Sequence, residues 1–256
     1  MKLLLIIALS LLSLQSIACR CSPESLVDSY NRSTFIATVK ILKVTPNDSN
    51  LDYHDLDIKV ITLYKGKLAN KILANTFQRS SCSFNVTENS TWLIFAELNQ
   101  NDTPTFSYCS ASYQLDKSYN EIAYPGLKEA RNKHDKMLME TLEFLKTKSD
   151  PIINSTGLIL TPSQKCNLVI DGYQEQKNNV AIFELTIDPK LFIKKVHVFQ
   201  TFSNRKMAKA VYNCLKKSSV SPSLQKPLKK QEKLLVFYYL WPSNYDTKSV
   251  ATQNLN

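Results

Sequence analysis

The chain reads as a mainly β domain followed by a smaller α+β domain, and three observations point there. Residues 35–98 hold four runs rich in β-branched and aromatic side chains with partial apolar alternation, the period of strands. Charge is divided unevenly: residues 1–150 carry 17 Lys+Arg against 16 Asp+Glu, whereas residues 151–256 carry 15 against 6. A stretch of helical period also ends at Asp150-Pro151, where proline stops a helix and marks a boundary.

In chain order, SPESLVDSY places Leu26, Val27 and Tyr30 at helical spacing behind Ser22-Pro23, with acids in its opening turn. The strands FIATVKILKV, DLDIKVITLY, KILANTF and STWLIFAEL follow, separated by polar loops such as PNDSN and LNQND. Between Gly126 and Lys148, Leu127, Ala130, Met137, Leu138, Leu142 and Leu145 fall roughly on one face, which predicts a helix closing the first domain. The second domain runs β-β-α-β: VAIFELTI, KKVHVFQTF, the basic amphipathic helix RKMAKAVYNCLKK, and KLLVFYYLW. Between that helix and the last strand, SSVSPSLQKPLKK has two prolines and reads as a loop. The expected divisions are 1–18 leader, 19–148 first domain with its closing helix, 149–164 linker and 165–256 second domain.

Composition excludes several functions. With 43% hydrophobic and 21% charged residues in 256, the chain has enough apolar material for folded cores. Only 4 glycines occur, too few for Gly-rich phosphate loops. His54, His134 and His197 never stand in an HxxxH or HxH spacing, so no metal site or cofactor of its own is expected. No GxSxG and no CxxC is present, and a non-enzymatic protein is expected.

Residues 1–18, MKLLLIIALSLLSLQSIA, have Lys2, a 12-residue apolar run and the small residues Ser16 and Ala18 before Cys19. This is the pattern of a cleaved signal peptide. Twelve helical residues span about 18 Å, short of the roughly 30 Å hydrocarbon core. A secreted or periplasmic chain with no transmembrane helix after cleavage is expected, in a compartment where disulfides persist. The alternative is a lipoprotein anchored through Cys19, although that signal prefers Leu where this chain has Ser16. Six cysteines allow 15 connectivities, which the residues alone leave open.

Cys19-Arg20-Cys21-Ser22-Pro23 is the most informative stretch. Cleavage before Cys19 would tie a free α-amine to a disulfide. A rigid neutral amine beside its own carbonyl can chelate a metal held by another protein at little ordering cost. Together with VITLYKGKL, Ser80-Ser81-Cys82, TWLIFAEL and Tyr108-Cys109-Ser110, this start resembles the netrin-like, OB-type domain of the tissue inhibitors of metalloproteinases over about residues 19–120. The resemblance implies an OB-type barrel with flanking helices and the pairs Cys19 with Cys82 and Cys21 with Cys109, leaving Cys166 with Cys214. It also implies a zinc metalloproteinase as partner: Cys19 would chelate the enzyme's zinc, Arg20 would enter its specificity pocket, and Cys21, Ser22, Pro23, Ser80 and Ser81 would line the contact. The chain departs from that family in lacking its third N-domain disulfide and its cysteine-rich second domain, and in carrying Arg20 where a small residue is usual.

VAIFELTID, KKVHVFQT, MAKAVYNCLKKS, SPSLQ and KLLVFYYL are similar, in order, to the TonB C-terminal domain. Here Pro189-Lys190-Leu191-Phe192 stands where that domain has a hairpin glycine. The likeness implies a Gram-negative source and a cell-envelope protein partner bound by strand addition. The alternative function is therefore an envelope binding or scaffolding protein whose CxC is structural.

Three further features read more plainly. Six N-x-[ST] sequons, at Asn31, Asn47, Asn85, Asn89, Asn101 and Asn154, fit an Asn-rich composition. Lys216, Lys217, Lys226, Lys229, Lys230 and Lys233 could meet phosphate groups of lipid or nucleic acid, but read first as a solvated face. No aromatic-interleaved RNA-binding motif accompanies them, and no nucleic-acid partner is expected. Phe237, Tyr238, Tyr239 and Trp241 are expected in the core and at the sheet.

Overall fold

The structure, a computed structural model, describes residues 19, 21, 24–78, 80–148, 158–163, 166, 169–170, 179–222, 228–241 and 249–252. The leader, Arg20, Ser22 and Pro23, and most of the expected linker lie outside them. Two compact units divide between Lys117 and Ser118.

In the first unit, helix α1 (Leu26–Arg32) precedes strands β1 (Phe35–Pro46), β2 (Tyr53–Lys65), β3 (Lys71–Asn75), β4 (Thr91–Leu98), β5 (Pro104–Ser107) and β6 (Tyr113–Gln114). Five strands close into a ring in the order β1-β2-β3-β5-β4, with β1 pairing back onto β4 from Phe35 opposite Ala96 to Lys40 opposite Thr91. All pairings in the ring are antiparallel except β3 with β5. This is an OB-type barrel. Its interior holds alternate residues of β1 (Phe35, Ala37, Val39, Ile41) against Leu56, Ile58, Ile72, Ala74, Trp92, Ile94 and Phe106. The outward Ile36, Leu93 and Phe95 are buried too, and α1 packs against β4. That double burial explains why β1 and β4 read as nearly unbroken apolar runs. Three register shifts along β1–β2 bend the sheet enough to close.

Strand β5 was hidden in the sequence. It has four residues, opens on proline and buries only Phe106, so local pattern cannot separate it from a loop. Its parallel pairing with β3, Leu73 opposite Thr105, is the step that closes the barrel.

The second unit contains α2 (Leu127–Lys146), β7 (Leu158–Thr161), β8 (Val169–Ile170), β9 (Val180–Ile187), β10 (Ile193–Gln200), α3 (Arg205–Lys217), β11 (Ser219–Pro222), β12 (Glu232–Trp241) and β13 (Ser249–Thr252). The main sheet runs β10-β9-β12-β13-β8. On one face, Ala181, Phe183, Leu185 and Ile187 of β9 and Leu234, Val236, Tyr238 and Leu240 of β12 pack with Met207, Val211 and Leu215 of α3. On the other face lies α2: Phe144 meets Phe199 at 5.3 Å and Phe237 at 6.3 Å between ring centroids, and Gln200 Nε2 donates to Glu140 Oε1 at 2.6 Å. Burial raises the Glu140 carboxyl above its ordinary value and, more strongly, the Tyr239 hydroxyl beside Thr141.

Three expectations are corrected here. The helix expected to close the first domain instead covers the sheet of the second, so the compact boundary lies near residue 117 rather than 148. A sheet that is apolar on both faces needs two covers, and the 158–252 segment provides only α3 among the described residues. Within the expected linker, Leu158–Thr161 forms β7, paired with β11, which occupies the start of the expected two-proline loop. Pro222 ends β11, where a missing N–H costs nothing to the ladder.

Candidate functional site

The CxC segment lies on two loops that leave one end of the barrel, and an aromatic cluster holds both loops. Phe84, on the β3–β4 connection, lies 6.2 Å from Trp92 and 5.7 Å from Phe106, while Trp92 and Phe106 are 6.0 Å apart. Trp92 and Phe106 belong to the barrel interior, so this trio anchors the loop carrying Cys82 directly to the core. Phe106 in turn stands three residues before Cys109.

The Cys82 loop closes on itself. Thr76 N–H donates to the Asp52 carbonyl at 2.7 Å, and Phe84 N–H returns to the Thr76 carbonyl at 3.3 Å. Phe77 takes a left-handed φ of 46°, after which Ser80 N–H donates to the Phe77 carbonyl at 2.9 Å. Ser80 Oγ accepts from Cys82 N–H at 3.0 Å, a short side-chain turn that sets the direction of the cysteine. Ser80 and Ser81 are themselves exposed. On the second loop, Ser110 N–H donates to the Ser107 carbonyl at 3.0 Å, and Ser112 Oγ accepts from Phe95 N–H at 2.7 Å. Cys109 is exposed beside Tyr108, which is 51% exposed.

Disulfides Cys19–Cys82 and Cys21–Cys109 fasten the two N-terminal cysteines to these loops, with Cα separations of 5.0 and 5.2 Å. The pairing is the one the family resemblance implies. Sulfurs of Cys19, Cys21 and Cys109 lie within 4.8 Å of one another, so the two bridges are adjacent. All three are oxidised, and the triad offers no thiolate to an ion. Cys19 and Cys21 are thus brought beside Ser80, Ser81 and Cys82, whereas Arg20, Ser22 and Pro23 lie outside the described residues.

Downstream, α1 completes the clamp. Ser25 Oγ accepts from Asp28 N–H at 3.1 Å as its N-cap, and Glu24 and Glu97 both take the Arg32 guanidinium, at 2.9 and 3.2 Å. At the other end Lys65 Nζ donates to the carbonyls of Tyr30, at 2.6 Å, and Asn31, at 3.0 Å, and covers the Tyr30 ring. Partial burial there holds the Lys65 ammonium below its usual pKa.

Sequence reasoning did not single out Phe84, Phe106 or Lys65. Each acts on residues 8 to 35 positions away, beyond the reach of a strand's local period; the only signal for Phe84 was its place two residues after Cys82.

In the second unit, Cys166–Cys214 ties residue 166 to α3. The sheet ends at β10 and at the two-residue β8, and β10 is the longer of these edges open to an added strand among the described elements. That edge carries exposed Lys194 and Lys195 and two register shifts, features that discourage strand pairing. No protein-family model matches the chain, and no curated protein is similar to it in sequence.

Proposed function

We propose that the protein is a secreted or periplasmic inhibitor of a zinc metalloproteinase, acting through the Cys19 terminus after removal of residues 1–18. One observation carries the proposal: both N-terminal cysteines are bridged to loops that the barrel core itself anchors. A terminus held in this way loses little further freedom on binding, so its amine and carbonyl can serve as a bidentate zinc ligand at low entropic cost. Ser80 and Ser81, exposed beside Cys82, form the flank of the wedge. The family resemblance of the CxC start and three disulfides suited to an oxidising compartment add support. Among the described residues no helix is long and apolar enough to cross a membrane. The rival role, an envelope scaffold binding through β10, has only the open edge in its favour.

The test is inhibition of a panel of zinc metalloproteinases by protein whose N-terminal Cys19 amine is verified by mass spectrometry. Wild type should inhibit, and one alanine added before Cys19 should abolish inhibition. Arg20 would place a charge in pockets that are ordinarily apolar, so Arg20→Thr should tighten binding by about 2 kcal/mol, roughly thirtyfold. Inhibition lost in Arg20→Thr would instead identify a target with an acidic pocket. If neither form inhibits any member of the panel, the CxC segment is structural and the proposal fails.

A further inference from the structure

The second unit carries a basic surface that the inhibitor proposal does not use. Residues 189–231 include 11 Lys+Arg and no Asp or Glu. Among the described residues, the run makes one ion pair, Lys194 with Asp188 at 3.3 Å. Arg205, Lys206, Lys209, Lys216 and Lys217 are all exposed on α3. A solvated helix ordinarily intersperses acids, because like charges at i, i+4 repel. This one has none.

Sheet register adds a second basic group and an apolar one. Ile193, which begins β10, and Glu232, which begins β12, both stand opposite Ile187 at the end of β9. The 188–192 turn and the 228–231 segment therefore meet at the same end of the sheet. Lys190, Lys229 and Lys230 are exposed there and make no ion pair among the described residues, whereas Lys233 is taken by Glu184 at 3.0 Å. On the same turn Phe192 is 62% exposed, with Lys194 Nζ 6.0 Å from its ring centroid.

The turn is built to hold that ring outward. The Asp188 carboxylate accepts from the N–H groups of Lys190 and Phe192, both at 2.9 Å, and the Asp188 and Phe192 backbones also bond at 3.0 Å. Leu191 adopts a left-handed φ of 67° and packs inward on the core, leaving Phe192 as the projecting side chain. A leucine in that conformation is strained, and the carboxylate and core contacts over-determine it.

We propose that this end of the second unit docks on an anionic lipid bilayer, with Phe192 entering the headgroup boundary and Lys190, Lys229 and Lys230 facing lipid phosphates. An exposed aromatic ring at the same end of the sheet as exposed lysines matches a surface that is charged outside and apolar beneath. A hydrophilic polyanion would use the lysines but leave the rigidly displayed ring in water.

The experiment is co-sedimentation of the full mature protein with vesicles of phosphatidylglycerol and phosphatidylcholine, against phosphatidylcholine alone. Binding should be at least about tenfold stronger to the anionic vesicles and should weaken as salt rises. At about fivefold per lysine, the triple variant Lys190→Gln, Lys229→Gln, Lys230→Gln should lose about a hundredfold. Phe192→Ser should lose about tenfold with an unchanged salt slope, and Lys59→Gln with Lys67→Gln on the barrel should change nothing. Thermal melts of each variant check that the fold is retained. Equal binding to neutral vesicles, or no effect of the triple variant, overturns the proposal. So does binding of dextran sulfate with the same lysine dependence while Phe192→Ser leaves vesicle binding unchanged, which would assign the surface to a hydrophilic polyanion. Each outcome is independent of protease inhibition.

Discussion

At the scale of single residues, several positions have consequences that their neighbours do not share. Gly66 follows β2 at φ +90°, and a Cβ there would stand 2.3 Å from the Thr34 carbonyl oxygen. Backbone cannot yield as a flexible side chain would, so Gly66→Ala should destabilise the barrel by about 2 kcal/mol or more, read from the urea midpoint. Lys65→Met keeps the apolar stem but removes both bonds to the end of α1, and at a half-exposed site should cost about 1 kcal/mol. Asp188 belongs to the other unit. The backbone hydrogen bond from Phe192, with further help from Lys194 and Lys190, holds its carboxyl below the ordinary value. A carboxyl depressed in the fold stabilises it above the unfolded pKa, and that contribution fades as pH falls through the lower folded value. Amide exchange at Lys190 and Phe192 should therefore show protection that is lost towards acid, and Asp188→Asn should flatten this dependence.

At the scale of elements, apolar period and function diverge. Helix α2 was legible as a helix from Leu138, Leu142 and Leu145, all buried. Its partner was not legible, because an apolar stripe specifies that a face is covered and not by which sheet. Since Leu142 is wholly buried in the second unit, Leu142→Ala should cost about 2–5 kcal/mol there while the barrel's amide protection stays unchanged. The opposite pattern would return the helix to the first domain. Phe84→Ala probes the loop under the N-terminal clamp. It should accelerate reduction of Cys19–Cys82 by freeing the loop from Trp92 and Phe106, with little change at Cys166–Cys214. The strands β1, β2, β4, β9 and β12 stood out because each has at least eight residues with apolar faces, whereas β5, β6, β7, β8, β11 and β13 have four residues or fewer. Such short pieces are strands only because a partner distant in the chain pairs with them, as β7 and β11 do with each other.

At the scale of the whole molecule, three bridges divide by unit: Cys19–Cys82 and Cys21–Cys109 close loops within the first, and Cys166–Cys214 closes one within the second. Sequence separations of 63, 88 and 48 residues correspond to about 4 kcal/mol each in the chain-entropy model. Reduction should lower the stability of both units, and paired Cys166→Ser and Cys214→Ser should affect the second alone. A common shift of both transitions in that double variant would contradict the division at residue 117.

The amino-acid sequence by itself determined the β-rich first half, the strands β9, β10 and β12 around α3 in the second, and the position of each described helix. These are encoded locally, in side-chain period, in proline and in charge. Only the tertiary structure decided that five strands close into a ring through β5, that α2 covers the second sheet, and that Phe84, Trp92 and Phe106 support the loop beneath Cys19. It also decided that Phe192 and two separated groups of lysines share one end of a sheet. All of these depend on pairing and packing between residues far apart in the chain, where the free energy belongs to the contact and neither partner alone carries its mark.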